Sequence, residues 1–234
     1  MLTIPALRRR LMPTLLSMGL ITGTSVVYAE LVTDPANDFL PSYIGPKNGD
    51  MDALSSEVTF NPANDTFTFT GTVNAPVGTT QNAAWVWGLD RGKGTERFLP
   101  AFGAGVKFDS VVALFANQTG SFIDLVAGTP PTSLPAGSVH VSGNTISATV
   151  PLSMLPSEGF GAQGYTWNFW PEAILAQPSY VSDFAPDARN ATLTVVPEPS
   201  SVAIFVAGVA LVGVLSMPRR RSNTPVTDPL SFPV

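Results

Sequence analysis

Between residues 58 and 70 the chain reads VTFNPANDTFTFT, with phenylalanines at 60, 67 and 69 set among threonines and a run of turn formers in the middle. Alternation of period two puts every second side chain on one face of an extended segment. Each run therefore predicts a strand buried on one side, and NPAND predicts the turn between them. The same alternation, or a short apolar run, recurs over 84–89, 108–116, 121–126, 138–142, 145–150, 165–170 and 191–196. Gly143-Asn144 sits between two of these and matches a two-residue hairpin turn. No window sustains a 3.6-residue period, and only 152–155 predicts a single helical turn.

About eight to ten short strands, parted by Gly, Pro and Asn turns and lacking crossover helices, predict an all-β domain. The expected architecture is one antiparallel β-sandwich over residues 30–196, without an internal repeat or linker. The chain contains no cysteine. That removes disulfides, thiolate-held zinc or iron–sulfur sites and a thiol nucleophile. An exported domain so built depends on its core, or on a metal.

Both ends have a different pattern. Arg8, Arg9 and Arg10 precede an apolar run that closes with Val27-Tyr28-Ala29. This is the tripartite form of a secretory signal peptide, residues 1–29, with signal peptidase expected to cut after Ala29. At the other end, Ser200–Met217 is eighteen residues without a charge. At 1.5 Å per helical residue it would cover about 27 Å, close to a bilayer's hydrocarbon thickness. Arg219, Arg220 and Arg221 follow. They predict a stop to transfer with the arginines left in the cytoplasm and residues 30–196 on the far side of the membrane. Residues 222–234 then form a polar, disordered cytoplasmic tail.

Pro197-Glu198-Pro199, the apolar run and the arginine cluster occur in that order over Val196–Arg221. Together they resemble the PEP-CTERM sorting signal of Gram-negative bacteria. The resemblance implies an exosortase substrate, exported across the inner membrane and held transiently by a transmembrane helix. A membrane-embedded cysteine transpeptidase-like enzyme would then process it near the motif, for display on the cell surface or in an extracellular biofilm matrix. Chains of that family usually end soon after the basic cluster, whereas this one continues for thirteen residues. The motif's chemistry supports a handle outside the fold. Two prolines fix φ and remove two backbone donors, so the segment cannot join a sheet, and Glu198 offers a charge to hold.

Setting the ends apart changes the charge picture. Residues 30–196 hold six basic side chains against fifteen acidic ones. An acidic middle excludes nucleic acid as the natural partner, since phosphates need a positive surface. The acids cluster in sequence: Asp34, Asp38, Asp50 and Asp52 early, Asp183 and Asp187 late. Calcium takes six to eight oxygens from closely spaced aspartates and carbonyls, so these residues are candidate ligands for a structural calcium joining the N-terminal loop to the last strands. Solvated loop acids and Asx-turns would give the same pattern.

The aromatic residues are a second candidate site. Trp85 and Trp87 share a strand face, as do Trp167 and Phe169, and Trp170 follows. Alternating aromatics suit a core. Exposed tryptophan instead suits stacking on sugar rings, with Trp87, Asp90, Arg91 and Trp170 as candidate ligand contacts. The segments DPANDFLPSYIGPKNGDMDALSSEVTF, WVWGLDRGKGTERF and SDFAPD are similar, at a distance, to secreted bacterial β-sandwich modules of the DOMON and family-nine carbohydrate-binding kinds. That similarity implies a jelly-roll-like module contacting polysaccharide without catalysis. A structural surface protein without a ligand is the alternative, and a carboxylate-dependent polysaccharide-active enzyme a third. His140, the only histidine, lies in a strand pattern with no G-x-S-x-G nucleophile elbow anywhere, so it carries no triad chemistry.

Overall fold

A computed structural model describes residues 30–196 of the chain. The signal-peptide cut after Ala29, the motif Pro197–Pro199, the arginines 219–221 and the tail lie outside the described residues. No helix among the described residues is long and apolar enough to cross a membrane.

Among the described residues, twelve strands form two six-stranded sheets. The first sheet runs β1 (Val32–Thr33), β2 (Ala53–Asn61), β3 (Thr66–Val73), β9 (Thr145–Pro151) and β8 (Val139–Ser142), with β12 (Thr194–Val195) also alongside β2. The second runs β11 (Ala191–Thr192), β10 (Thr166–Glu172), β4 (Ala84–Asp90), β5 (Ser110–Phe115), β6 (Gly120–Asp124) and β7 (Thr132–Ser133). Eight of the nine expected strands are present, and the ninth, 191–196, is broken at Leu193 into β11 and β12, which join different sheets. Leu152–Met154 forms the expected single turn, as a 3-10 helix. The two-residue strands β1 and β7 were not foreseen, because two residues carry no periodicity. Every pairing is antiparallel except β12 with β2, which is parallel. That one pair departs from the expected all-antiparallel sandwich, since residues 194–195 return to the first sheet directly after β11 in the second.

The alternation read in the sequence is the burial pattern of the first sheet. Val58, Phe60, Phe67 and Phe69 are buried, paired Val58↔Phe69 and Phe60↔Phe67, and the intervening threonines face outward. Their partners across the sandwich are Trp85, Trp87, Leu89, Trp167 and Phe169. Phe69 meets Trp87 edge-on at 5.8 Å between ring centroids, and Trp87 lies 4.6 Å from Phe169. Gly71 is needed at this contact, because a Cβ there would stand 2.7 Å from the Phe169 ring.

The second sheet is buried on both faces. Strands β4 and β10 have almost no exposed position. The segments 95–108 and 174–184 fold over the outer face, where Val86, Ala113, Phe108, Trp170, Val181 and Phe184 form a second apolar cluster.

Candidate functional site

Five of the six candidate aspartates meet at one end of the sandwich. Asp34 follows β1, where its N–H donates to Leu54 O at 2.9 Å. Asn37 adopts a left-handed turn conformation, φ 68°, which asparagine tolerates better than most residues. Its N–H thereby reaches both oxygens of Asp52 at 2.9 Å. Asp38 is carried in beside it, and Asn74 Nδ2 donates to Asp52 Oδ2 at 2.8 Å. From the far end of the chain, residues 181–185 run back along β10, where Ala185 and Phe169 exchange backbone hydrogen bonds. This return places Asp183 against the start of β2. Its Oδ2 accepts from Ala53 N at 3.0 Å and its Oδ1 from Phe184 N at 2.9 Å.

Carboxylate oxygens of Asp34, Asp38 and Asp187 lie within 4.8 Å of one another, as do those of Asp38, Asp52 and Asp183. Asp38 belongs to both groups, so the five acids form one continuous nest of oxygens. None of the ion pairs among the described residues involves any of them. The electrostatic consequence is consistent. Burial, then repulsion from Asp38 and Asp187, pushes Asp34 above the usual carboxylate range. Burial, then Asp34 and Asp38, pushes Asp183 upward against the pull of its two backbone donors. Asp38 is raised as well, by its own partial burial and by Asp187 and Asp52. Asp34 Oδ2 is buried and has no hydrogen-bond partner. Oxygens at this spacing, from residues short of positive charge, suit a hard divalent cation such as calcium.

Asp50 does not join them. It is fully buried, and Thr80 satisfies it, with N–H to Oδ2 at 2.6 Å and Oγ1 to Oδ1 at 2.7 Å. Although Asp50 is two residues from Asp52, the 3-10 turn Gly49–Met51 sends the two side chains to different neighbours. The expectation of a sixth aspartate ligand is corrected.

The sugar-stacking candidates are corrected too. Trp87 is fully buried between the sheets, and its Nε1 donates to Ser56 Oγ at 2.9 Å. All four tryptophans are at most 2% exposed, so none offers a ring face to solvent. Arg91 is buried as well. Its Nε donates to Asp109 Oδ1 at 2.8 Å, one terminal nitrogen to Asp124 Oδ2 at 3.1 Å, and the other to Pro156 O at 2.8 Å. Burial opposes the guanidinium's charge, but Asp109 and Asp124 hold it in place. Asp90 Oδ1 accepts from Gly92 N at 2.9 Å and Gly94 N at 2.8 Å, which closes the turn of DRGKG. Trp170 lies on the outer face of its sheet, away from Trp87.

Two clefts escaped the sequence reading. One, of about 470 Å³, is polar and lined by Gln81, Asn82, Phe115, Asn117 and Thr119 from the β3–β4 connection and the β5–β6 hairpin. The amides and Thr119 are exposed, and Phe115 is half-buried. The other is apolar and lies beside Trp170. Each joins residues far apart in sequence, which periodicity does not register. His140 is exposed on the edge strand β8. No protein-family model matches the chain, and no curated protein is significantly similar to it.

Proposed function

We propose that the chain is an exported cell-surface or matrix protein of a Gram-negative bacterium, delivered by its C-terminal sorting signal. In this reading signal peptidase removes residues 1–29 and an exosortase-like enzyme acts at Pro197–Pro199. The sandwich is a non-catalytic module of the DOMON-like, jelly-roll kind, clasped by calcium. The observation that carries the calcium reading is the nest of five carboxylates without a counter-charge, drawn from the 34–38 loop, the start of β2 and the 183–187 loop. Those segments belong to both sheets, so an ion there would fasten the sandwich at one end. Thermal unfolding of residues 30–196 tests it. A melting temperature raised by millimolar calcium and reversed by chelator supports the clasp; indifference to both removes it.

Polysaccharide remains the favoured partner, now at the polar cleft. Neutral amides beside a half-buried aromatic ring suit hydroxyl-rich ligands, with Asn82 and Asn117 to bond and Phe115 to pack. A glycan array probed with residues 30–196 and with the Asn82→Ala, Asn117→Ala variant tests this. Binding lost in the variant supports it. The burial of all four tryptophans favours the alternative, a structural matrix protein, and an array without any binding selects that alternative.

A further inference from the structure

The polar cleft of about 470 Å³ stands between two anchored turns. On one wall, the β3–β4 connection is tied down at Thr80, whose N–H and Oγ1 both donate to the fully buried Asp50 carboxylate. On the other, the β5–β6 turn is closed by Phe115 N–H to Thr119 O at 2.9 Å and Gln118 N–H to Phe115 O at 3.0 Å. Gly78 lets the walls meet at one end, since a Cβ there would stand 2.9 Å from the Ala116 Cβ. Left-handed residues set both rims, Asn82 at φ 60° and Gln118 at φ 61°. The cleft is therefore shaped before a ligand arrives.

Its polar groups divide into engaged and free. Thr80 Oγ1 is engaged: it donates to Asp50 and accepts from Asn48 Nδ2 at 3.0 Å. Asn117 Oδ1 accepts from both the N–H and the Oγ1 of Thr119. Asn117 Nδ2 and the exposed amides of Gln81 and Asn82 bond to none of the described residues. A primary amide carries two donors and an acceptor oxygen, so the free groups both give and take hydrogen bonds. Among the described residues no charged side chain lines the cleft, although residues 30–196 hold six basic and fifteen acidic ones. An anionic group placed here would give up water without meeting a cation, in a domain whose excess charge is already negative. A hydroxyl carries no such penalty.

We propose that this cleft selects uncharged sugar units, neutral hexoses, and rejects their uronic acid forms. The inference rests on the glycan reading of the cleft given above and names the class of sugar. The free amides of Gln81, Asn82 and Asn117 meet hydroxyls, and the half-buried Phe115 ring packs against the C–H face of the sugar.

The full chain in mild detergent is titrated calorimetrically with a mannan, a cellulose and an amylose hexasaccharide, each beside the uronate form oxidised at its primary hydroxyls. At least one neutral sugar is expected to bind, and its uronate form about tenfold more weakly or worse. Asn82→Gly with Asn117→Ser keeps the left-handed turn and an oxygen for Thr119, and should abolish binding at an unchanged melting temperature. Gln81→Lys, at an exposed position, supplies the missing cation and should narrow the gap between the two forms. A uronate that binds the natural chain as tightly as its neutral partner overturns the selection and leaves the glycan reading standing. So does a folded Gln81→Lys chain with the gap unchanged. Undiminished binding by the folded double variant overturns the assignment to this cleft. Silence from all the sugars overturns this inference together with the glycan reading beneath it.

Discussion

The backbone N–H of Ala53 donates to Asp183 Oδ2 at 3.0 Å, tying the first residue of β2 to a loop 130 residues later. With Phe184 N on its other oxygen, this carboxylate has two donors that favour its charge. Burial and the facing Asp34 push the other way and prevail. The same side chain thus fastens the two sheets and strains the acid nest, and a divalent cation would relieve that strain.

Asp34→Asn separates these effects. An amide at 34 removes one repelling charge and can donate to Asp183. Without calcium at pH 8, the variant is expected to be about 1 kcal/mol more stable than the natural chain. It should also lose most of the calcium-induced rise. For the natural chain, that rise is about 2.7 kcal/mol when calcium stands at a hundred times its dissociation constant. Urea unfolding with calcium and with chelator measures both. A variant that keeps the full calcium response would show that Asp34 is no ligand.

Glu172 predicts a pH dependence of its own. Burial raises its carboxyl from 4.5 to about 7, against backbone donors at Gln177 and Ala176. An acid whose folded pKa is raised binds its proton more tightly when folded. The stability that Glu172 contributes is therefore fully present below about 4.5, is lost as pH rises, and levels off above about 7. At about 1.4 kcal/mol per unit the loss is about 3 kcal/mol. Glu172→Gln keeps an acceptor for Gln177 N and cannot ionise. The stability difference between the two proteins should grow by that amount between pH 4.5 and 8, with the variant ahead, in urea titrations at each pH. A constant difference would mean that Glu172 titrates normally.

The strands were legible because alternation is local. TFTFT states its own buried face, and β3 has that face. The second sheet was half legible: Trp85 and Trp87 marked the inner face, but nothing local marked the outer one as covered. The cover comes from 95–108 and 174–184, segments without period, whose phenylalanines find Trp170 only in three dimensions. The aspartates were legible as a set because acids 150 residues apart converge at one sandwich end. Asp50 was not separable from Asp52 in sequence, since a single 3-10 turn decides which neighbour each one meets. Arg91 resembled a ligand contact beside Trp87. Its true partners, Asp109 and Asp124, lie 18 and 33 residues on.

That buried arginine gives the next prediction. Arg91→Met strips Asp109, itself fully buried, of its charged partner, although the N–H groups of Arg91 and Lys93 still donate to Asp109 Oδ2. Breaking one side of such a pair costs about 3–5 kcal/mol. Asp109→Asn in the same chain should recover part of that loss, because the stranded charge is gone while an oxygen acceptor remains. A double-mutant cycle in urea measures the coupling. Additive losses would show that the ion pair contributes nothing beyond its parts.

The sandwich closes where the proposed sorting signal begins. Val196 N–H donates to Phe60 O at 2.8 Å, the last backbone bond of the parallel β12–β2 pairing. The next rung would take an N–H from residue 62 of the partner strand, which is Pro62 and has none, so the pairing stops here whatever stands at 197–199. Replacing Pro197, Glu198 and Pro199 by alanine should therefore leave the melting temperature of the sandwich unchanged while altering delivery. In the native host, the altered protein is expected to stay in the membrane fraction, whereas the natural chain reaches the surface or medium. Fractionation with an antibody to residues 30–196 reads the outcome. Equal release of the two proteins would remove the sorting role from the motif. Retention accompanied by a lowered melting temperature would assign the effect to folding instead.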